Sequence, residues 1–281
     1  MNSDTCVWIT GTAGLLGHNL LRFAPPVRTV GLNRETIELT DFAAVEGRFR
    51  QDRPTLVIHC AAMSRTPDCQ ANPALARKIN VDVTRHLAGL AGNVDFIFFS
   101  SDQVFDGRKG NYIESDAPNP LGVYGETKLV AEEIVAKNPR HTIVRLNLCG
   151  GASAKGGTAF NEELQRAWRE GKTMRFFYDE FRSPLAAPVA ARAVWELAAK
   201  AAPGIFHLGG SKRLSRLEIG QLVAARHPEL SPRFEGRSLR DYQGAPRSPD
   251  CSVCCDKIQR LLSFPLPGLS EWLTANPQEA F

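Results

Sequence analysis

The stretch CVWITGTAGLLG, residues 6–17, decides the fold class. A short run of apolar and β-branched residues leads directly into a glycine-rich turn, and the helical pattern LLGHNLLRFA begins inside that turn. Gly11 would permit a tight turn, Gly14 would let backbone N–H groups approach a pyrophosphate, and Gly17 would let the helix pack closely on the strand. The spacing G-x-x-G-x-x-G is one residue longer than the usual dinucleotide fingerprint. A turn with only a structural role is the alternative.

The alternation of strand and helix continues beyond this turn. Further strands are predicted at 27–32, 55–62, 94–101, 142–148 and 204–210. These runs are apolar on both faces and are separated by helical patterns, which is typical of a parallel sheet covered on both sides. The sequence therefore predicts an α/β fold with a doubly wound parallel sheet of the Rossmann type.

The alternation of strands and helices distinguishes two parts of the chain. Residues 1–150 are predicted to form the dinucleotide-binding domain, to which 185–210 return. Residues 151–184 and 211–281, where the alternation loosens, are predicted to form a smaller C-terminal lobe for the substrate.

Composition excludes several classes of function. The net charge of the 281-residue chain is only +4, and its 34 lysines and arginines are scattered, so a nucleic-acid-binding face is not indicated. No apolar run is long enough for a membrane span, and MNSDTCVWIT lacks a signal-peptide pattern, which favours the cytoplasm. The cluster CSVCC (251–255) lacks a second pair of ligands at finger-like spacing, so we expect reduced cysteines and no metal.

Two short motifs carry the candidate chemistry. SSDQVFDG (100–107) ends a predicted strand, and YGETK (124–128) begins a predicted helix. Tyr124 and Lys128 stand four residues apart and so share a helix face, where an ammonium would favour the phenolate and lower the pKa of the tyrosine. Ser101 could hydrogen-bond a developing oxyanion. Taken one at a time, each residue would more often be structural.

The end of the second strand bears on the choice of cofactor. GLNRE (31–35) places Arg34 where a guanidinium could pair with the 2′-phosphate of NADP. Glu35 favours NAD instead, because a carboxylate at this position can accept hydrogen bonds from the ribose hydroxyls of NAD. NADP is favoured, and NAD stays open.

Together, GTAGLLG, HCAAMS (59–64), SSDQVFDG and YGETK, in this order, resemble the extended short-chain dehydrogenase/reductases. Within that superfamily the chain is most similar to the dTDP-4-dehydrorhamnose reductase-like family, and DEFRSP (179–184) extends the similarity beyond the sheet. The resemblance implies an NAD(P)H-dependent oxidoreductase.

The resemblance also assigns roles residue by residue. It implies a cofactor site formed by Gly11, Gly14, Leu15, Leu16, Gly17, Asp41, Ala61, Ala62, Met63, Tyr124 and Lys128, to which Arg34 is added from the residues themselves. It implies catalytic roles for Ser101, Tyr124, Lys128 and Asp102, and Asp102 is expected to face the substrate. Gln103 stands where the family's reductases usually have tyrosine, so it is a candidate for reading the substrate. Asn80 in KINVDVT corresponds to an asparagine on a helix of the family.

Three functions remain open on these residues. The first is reduction of a nucleotide-activated 4-keto-deoxy-sugar by NAD(P)H. The second is a sugar-nucleotide epimerase or dehydratase with retained NAD, although SSDQ offers only one acid beside the serine. The third is a non-catalytic cofactor-binding subunit similar to the beta subunit of methionine adenosyltransferase. The expected partner is a small-molecule nucleotide sugar, and a homodimer is possible.

Overall fold

The fold is built on one parallel sheet, and the computed structural model describes it through residues 5–281. The first four residues, part of the stretch examined for a signal peptide, lie outside the described residues. The strands are β1 (Cys6–Thr10), β2 (Arg28–Leu32), β3 (Leu56–His59), β4 (Asp95–Ser101), β5 (Thr142–Leu146), β6 (Cys149–Gly150), β7 (Thr173–Phe177), β8 (Phe181–Arg182), β9 (Leu185–Ala186), β10 (Gly204–Leu208), β11 (Leu214–Ser215) and β12 (Arg233–Arg237). The α-helices are α1 (Leu15–Arg22), α2 (Phe42–Asp52), α3 (Thr66–Ala71), α4 (Pro73–Arg77), α5 (Val83–Leu90), α6 (Val123–Val135), α7 (Phe160–Arg169), α8 (Ala187–Ala199), α9 (Arg216–Arg226), α10 (Asp256–Gln259) and α11 (Leu269–Ala275).

Six strands form the central sheet in the order β2, β1, β3, β4, β5, β10, and every neighbouring pair is parallel. The chain moves from β1 outward to β2 and then returns to the other side of β1 with β3. This reversal creates a switch point, the place where open α/β sheets bind ligands at the carboxyl ends of their strands. The predicted doubly wound parallel sheet is confirmed.

Alternate residues of the strands enter two different cores. Ile9 and Ile58 pack in the cluster that includes residues of α8, whereas Trp8 and Val57 pack in the cluster that includes residues of α5 and α6. Side chains point to opposite faces along a strand, so a sheet covered by helices on both sides needs apolar residues at every position. This requirement explains the continuous apolar runs of the sequence.

Two strands end earlier than the sequence predicts. β3 stops at His59 rather than at residue 62, because the segment Cys60–Ala62 leaves the sheet to pass against the turn that follows β1. β5 stops at Leu146 rather than at residue 148. The backbone that leaves each strand lines the cleft described below.

The helical pattern PALARKINVDVTRHLAGLA is also not one continuous helix. A π-helical turn, Lys78–Asp82, separates α4 from α5. Such turns are frequent at functional sites, and this one carries the buried side chain of Asn80.

Outside the central sheet, β7 pairs with β12, β8 with β11, and β6 with β9. β7 and β12 come from the two segments predicted to form the smaller lobe, whose boundaries stay a prediction. Within residues 5–281 all cysteines are free, and no group of ligating side chains could hold a metal ion. None of the helices in this range is long and apolar enough to cross a membrane.

Candidate active site

The turn after β1 forms a cradle of backbone donors. Gly11 has a φ of 73°, and a Cβ placed on it would lie 2.8 Å from the backbone nitrogen of Ala61. A Cβ on Gly17 would lie 2.5 Å from the carbonyl oxygen of Gly11. Gly14 precedes α1 without a side-chain cap, and no acidic residue stands in the first turn of that helix. The first N–H groups of α1 are therefore left for an anion.

A cleft of about 990 Å³ opens from this turn along the carboxyl ends of the central strands. It brings together most of the residues predicted for the site: Gly11, Gly14, Leu15, Leu16, Gly17, Arg34, Ala61, Ala62, Ser101, Asp102, Gln103, Tyr124 and Lys128. These residues come from five separate stretches of the chain. Their meeting in one cleft is the geometric basis for treating them as one site.

Asp41 and Met63 are not among the residues that line the cleft. Asp41 caps α2, where its Oδ1 accepts a hydrogen bond of 3.0 Å from the backbone N of Ala44. Met63 is held by Asn80, whose Oδ1 accepts from the Met63 backbone N at 2.8 Å and whose Nδ2 donates to its carbonyl at 3.0 Å. The cofactor contacts expected of Asp41 and Met63 stay predictions.

Ser101 and Asp102 form a hydrogen-bonded pair at the end of β4. The Ser101 hydroxyl donates to Asp102 Oδ1 at 2.9 Å and accepts from the backbone N of Gln103 at 3.1 Å. Asp102 Oδ2 lies 3.3 Å from Nε of Arg182, an ion pair buried on both sides. Burial raises the pKa of Asp102, and the charge of Arg182 opposes that shift. Asp102 is thus fixed in place by one neighbour on each side.

Gln103 is tied to the first residue of α3. Thr66 Oγ1 donates to Gln103 Oε1 at 3.3 Å. The Gln103 carbonyl also approaches α6 so closely that a Cβ on Gly125 would lie 2.1 Å from it. Glycine beside Tyr124 is therefore required by packing, and this packing sets Gln103 next to the start of α6.

Tyr124 and Lys128 occupy the first turns of α6. Burial raises the pKa of the Tyr124 phenol, and hydrogen bonding with Ser101 opposes the rise. Lys128 is only 2% exposed, and its ammonium lies 4.1 Å from the centre of the Phe98 ring. Burial lowers the pKa of Lys128 to about 7, against the opposing charge of Glu132.

The direction of the tyrosine shift differs from the one predicted from the sequence. The expectation was that a full positive charge on Lys128 would lower the pKa of Tyr124. The fold instead buries both groups, which disfavours the phenolate and the ammonium alike. The phenol carries its proton at neutral pH with or without this shift, and the raised pKa makes it a weaker acid until a neighbouring cation stabilises the phenolate.

A buried polar chain supports the cleft from beneath. Thr10 Oγ1 accepts from the backbone N of Ala61 at 3.1 Å and lies 2.7 Å from His59 Nδ1. The other ring nitrogen of His59 lies 3.1 Å from Thr84 Oγ1, which donates to the carbonyl of Asn80 at 2.7 Å. Burial lowers the pKa of His59 to about 3, so the ring is neutral. The chain fixes the backbone that leaves β3 relative to the π-helical turn.

The sequence did not single out the arginine of this site. Arg182 lies within the quoted motif DEFRSP, yet its role emerges only because β8 brings it against Asp102, which is distant in the chain. Glu180 holds Arg182 from the other side at 3.1 Å and also pairs with Arg247 at 2.7 Å. The available signal was the motif itself, which contains three charged residues and extends the family resemblance beyond the sheet.

The arrangement combines a cradle for an anion, a protonated phenol, a serine hydroxyl and a buried lysine along one wall. This combination is suited to transfer of a proton to or from a substrate oxygen beside a bound dinucleotide.

Known proteins share this architecture and sequence. The family model described as RmlD substrate binding domain matches residues 5–278. A dTDP-4-dehydrorhamnose reductase from Sinorhizobium fredii is 29% identical over 279 residues, which cover 94% of this chain and 93% of that protein. A methionine adenosyltransferase 2 subunit beta from Danio rerio is 30% identical over 234 residues, which cover 78% of this chain and 72% of that protein.

A solved structure agrees in fold. The crystal structure of dTDP-4-dehydrorhamnose reductase from Bacillus anthracis, in complex with NADP, superposes with a TM-score of 0.89 at 22% identity. The match covers 96% of this chain and 98% of that one. The sequence-based prediction of a dTDP-4-dehydrorhamnose reductase-like fold is confirmed.

Proposed function

The chain belongs to the RmlD substrate binding domain family, and on that premise we propose that it is an NADPH-dependent reductase of a nucleotide-activated 4-keto-deoxy-sugar. The observation that carries the proposal is that Ser101, Tyr124 and Lys128 line the same cleft as the glycine turn at Gly11. A dinucleotide in the cradle would therefore reach the phenol and the serine.

The described residues fit the cofactor. The positions of Gly11 and Gly17 leave no room for a Cβ because other backbone of the turn and of Ala61 lies against them, and this tight turn is the one that a pyrophosphate-binding loop requires. Arg34, at the end of β2, lines the same cleft and would hold the 2′-phosphate. Lys128 would hold the nicotinamide ribose. The cofactor, when bound, supplies the hydride.

The proton comes from Tyr124. Its phenol is protonated at neutral pH, as an unperturbed phenol also is, so a proton is available for a carbonyl oxygen. Ser101 would hydrogen-bond the same oxygen as negative charge develops on it, once its hydroxyl proton turns away from Asp102 Oδ1. An anionic ligand would favour the ammonium form of Lys128, and a protonated Lys128 would in turn stabilise the phenolate that remains after the transfer.

The substrate would be recognised by the residues that follow Ser101 in the chain. Asp102 Oδ2 is buried against Arg182 and accepts no hydrogen bond within residues 5–281, so the expected contact of Asp102 with the substrate stays a prediction. Gln103 replaces the tyrosine expected in such reductases and would read a different group on the sugar. We assign the nucleotide part to the smaller lobe, 151–184 and 211–281. A homodimer and a cytoplasmic location are retained from the sequence as predictions.

A non-catalytic role is the second candidate, because several relatives are methionine adenosyltransferase 2 beta subunits. Retention of Ser101, Tyr124 and Lys128 in one cleft favours catalysis. An epimerase or dehydratase with retained NAD is less well supported, since Asp102 is the one acid beside Ser101 in the motif and it is paired with Arg182.

The test is oxidation of NADPH in the presence of a panel of nucleotide 4-keto-deoxy-sugars, with NADH in parallel. Stoichiometric NADPH oxidation with one of them would support a reductase. Protein that purifies with NAD and acts without added reductant would favour the epimerase or dehydratase. Dinucleotide binding without turnover on any sugar, together with a co-purifying partner, would favour the regulatory subunit.

A further inference from the structure

Glu35 at the end of β2 is paired with a residue from a distant part of the chain. Its carboxylate accepts a hydrogen bond from Nζ of Lys155, 120 residues away. Both side chains line the cleft, and so does Arg34. The acid that would argue for NAD is thus already bound to a cation.

The segment that carries Lys155 is anchored on both sides. Before it, Asn19 of α1 donates through Nδ2 to the carbonyl of Ala152 at 2.9 Å. Glu162 at the start of α7 accepts from the Ser153 hydroxyl at 2.7 Å and from the backbone N of Thr158 at 3.0 Å. These contacts lower the pKa of Glu162 in spite of its burial, so it stays ionised and holds the loop. The loop therefore places Lys155 at the solvent-exposed mouth of the cleft.

The ion pair between Lys155 and Glu35 changes the net charge around Arg34. Arg34 makes no hydrogen bond or ion pair with any residue in 5–281, whereas Glu38 accepts from both the backbone N and the hydroxyl of Thr40. With Lys155 in place, Glu35 contributes little net charge, and the two cations Arg34 and Lys78 face the carboxylate of Glu38 at this end of the cleft. Without Lys155, the Glu35 carboxylate would stand next to Arg34 and oppose a doubly charged phosphate.

We propose that Lys155 is a specificity-determining residue for the cofactor, which cancels the charge of Glu35 so that Arg34 can accept the 2′-phosphate of NADPH. The inference rests on the proposed function. Both side chains of the pair are about two-thirds exposed, and exposed ion pairs add little to stability. The effect of the pair is expected in ligand selection and not in folding.

Dissociation constants for NADPH and NADH, measured by titration calorimetry without sugar substrate, test this role. Lys155→Ala is expected to weaken NADPH binding about fivefold, because two unit charges about 4 Å apart in water interact with an energy that corresponds to this factor. NADH binding should be unchanged, because NADH has no 2′-phosphate. The loss should shrink at high salt, because exposed charges are screened. Lys172→Ala is the matched control, since Lys172 forms a similarly exposed pair with Glu170 on the surface.

A second variant separates charge cancellation from direct contact. Adding Glu35→Gln to Lys155→Ala removes both charges of the pair, so the ratio of NADPH to NADH affinity should return to the wild-type value. An unrescued double variant would show that Lys155 contacts the phosphate itself and would overturn the proposed cancellation. An unchanged ratio in Lys155→Ala would overturn the inference alone, whereas failure of the wild type to bind either dinucleotide would overturn the proposed function as well.

Discussion

Substitution of Gly17 by alanine tests the cradle directly. The added Cβ would lie 2.5 Å from the carbonyl oxygen of Gly11 and 2.8 Å from the Cα of Thr12. The first distance is 0.9 Å short of the 3.4 Å at which ordinary contact begins. Both neighbours are backbone, so the start of α1 and the turn after β1 must move apart.

The size of the effect follows from that displacement. Overpacking of this kind costs roughly 1–3 kcal/mol, part of which alanine regains through its higher helix propensity of about 1 kcal/mol over glycine. Because the same backbone carries the proposed pyrophosphate donors, the shift should weaken NADPH binding by about tenfold to a hundredfold. The protein should remain folded.

Gly89→Ala is the matched control. Gly89 lies inside α5, and a Cβ there would meet nothing within 4 Å. This variant should be slightly more stable than the wild type and bind NADPH equally well. Calorimetric titration and thermal melting of both variants give the comparison. Equal NADPH affinity in a folded Gly17→Ala variant would refute the close approach of backbone and cofactor.

Three other measurements follow from the buried charges. Glu132→Gln leaves Arg145 buried without its ion-pair partner, so denaturant unfolding should show a loss of about 3–5 kcal/mol, whereas Glu133→Gln, at an exposed neighbouring position, should change little. Because the pKa of His59 is about 3 when folded, below its value of about 6.5 when unfolded, the unfolded state binds more protons between these values. The melting temperature should therefore fall as pH drops below 6.5, less steeply in His59→Gln, and an equally steep fall in that variant would contradict the assignment. Lys128, with a pKa of about 7, should take up a proton when the anionic dinucleotide binds. NADPH affinity should then weaken severalfold between about pH 7 and 9, and a flat profile in the wild type would exclude this linkage.

The sheet was predictable because its signals are local. CVWIT followed by GTAGLLG contains a buried strand, a turn and a helix start within twelve residues, and each later strand carries its own apolar run. The strand ends were less predictable. β3 stops at His59 because the next residues pack against Gly11, a contact that no pattern within 55–62 encodes.

The site was predictable in part for the same reason. Ser101, Tyr124 and Lys128 belong to two short motifs, so the sequence could group them. Arg182 reaches Asp102 only through the fold. The sequence predicted that Lys128 would lower the pKa of Tyr124, but burial raises it. Burial depends on all the residues packed around α6, so no local sequence pattern indicates it.

The Glu35 carboxylate next to Arg34, at the other end of the cleft, is also affected by a contact that the sequence does not reveal. Arg34 and Glu35 are adjacent, and from the sequence alone they favour opposite cofactors. Lys155 resolves the conflict by pairing with Glu35, and its loop, GGASAKGG (150–157), contains no motif that would assign it to the cofactor site. Long-range charge pairing of this kind cannot be predicted from spacing.

The most direct test of the account is NADPH oxidation by Tyr124→Phe with a nucleotide 4-keto-deoxy-sugar that the wild type reduces. We expect turnover to be abolished while NADPH binding stays within about twofold of the wild type, because only the proton donor is removed. Tyr178→Phe, which alters an exposed tyrosine, should retain full activity. Full turnover in Tyr124→Phe would contradict the central claim that this phenol supplies the proton.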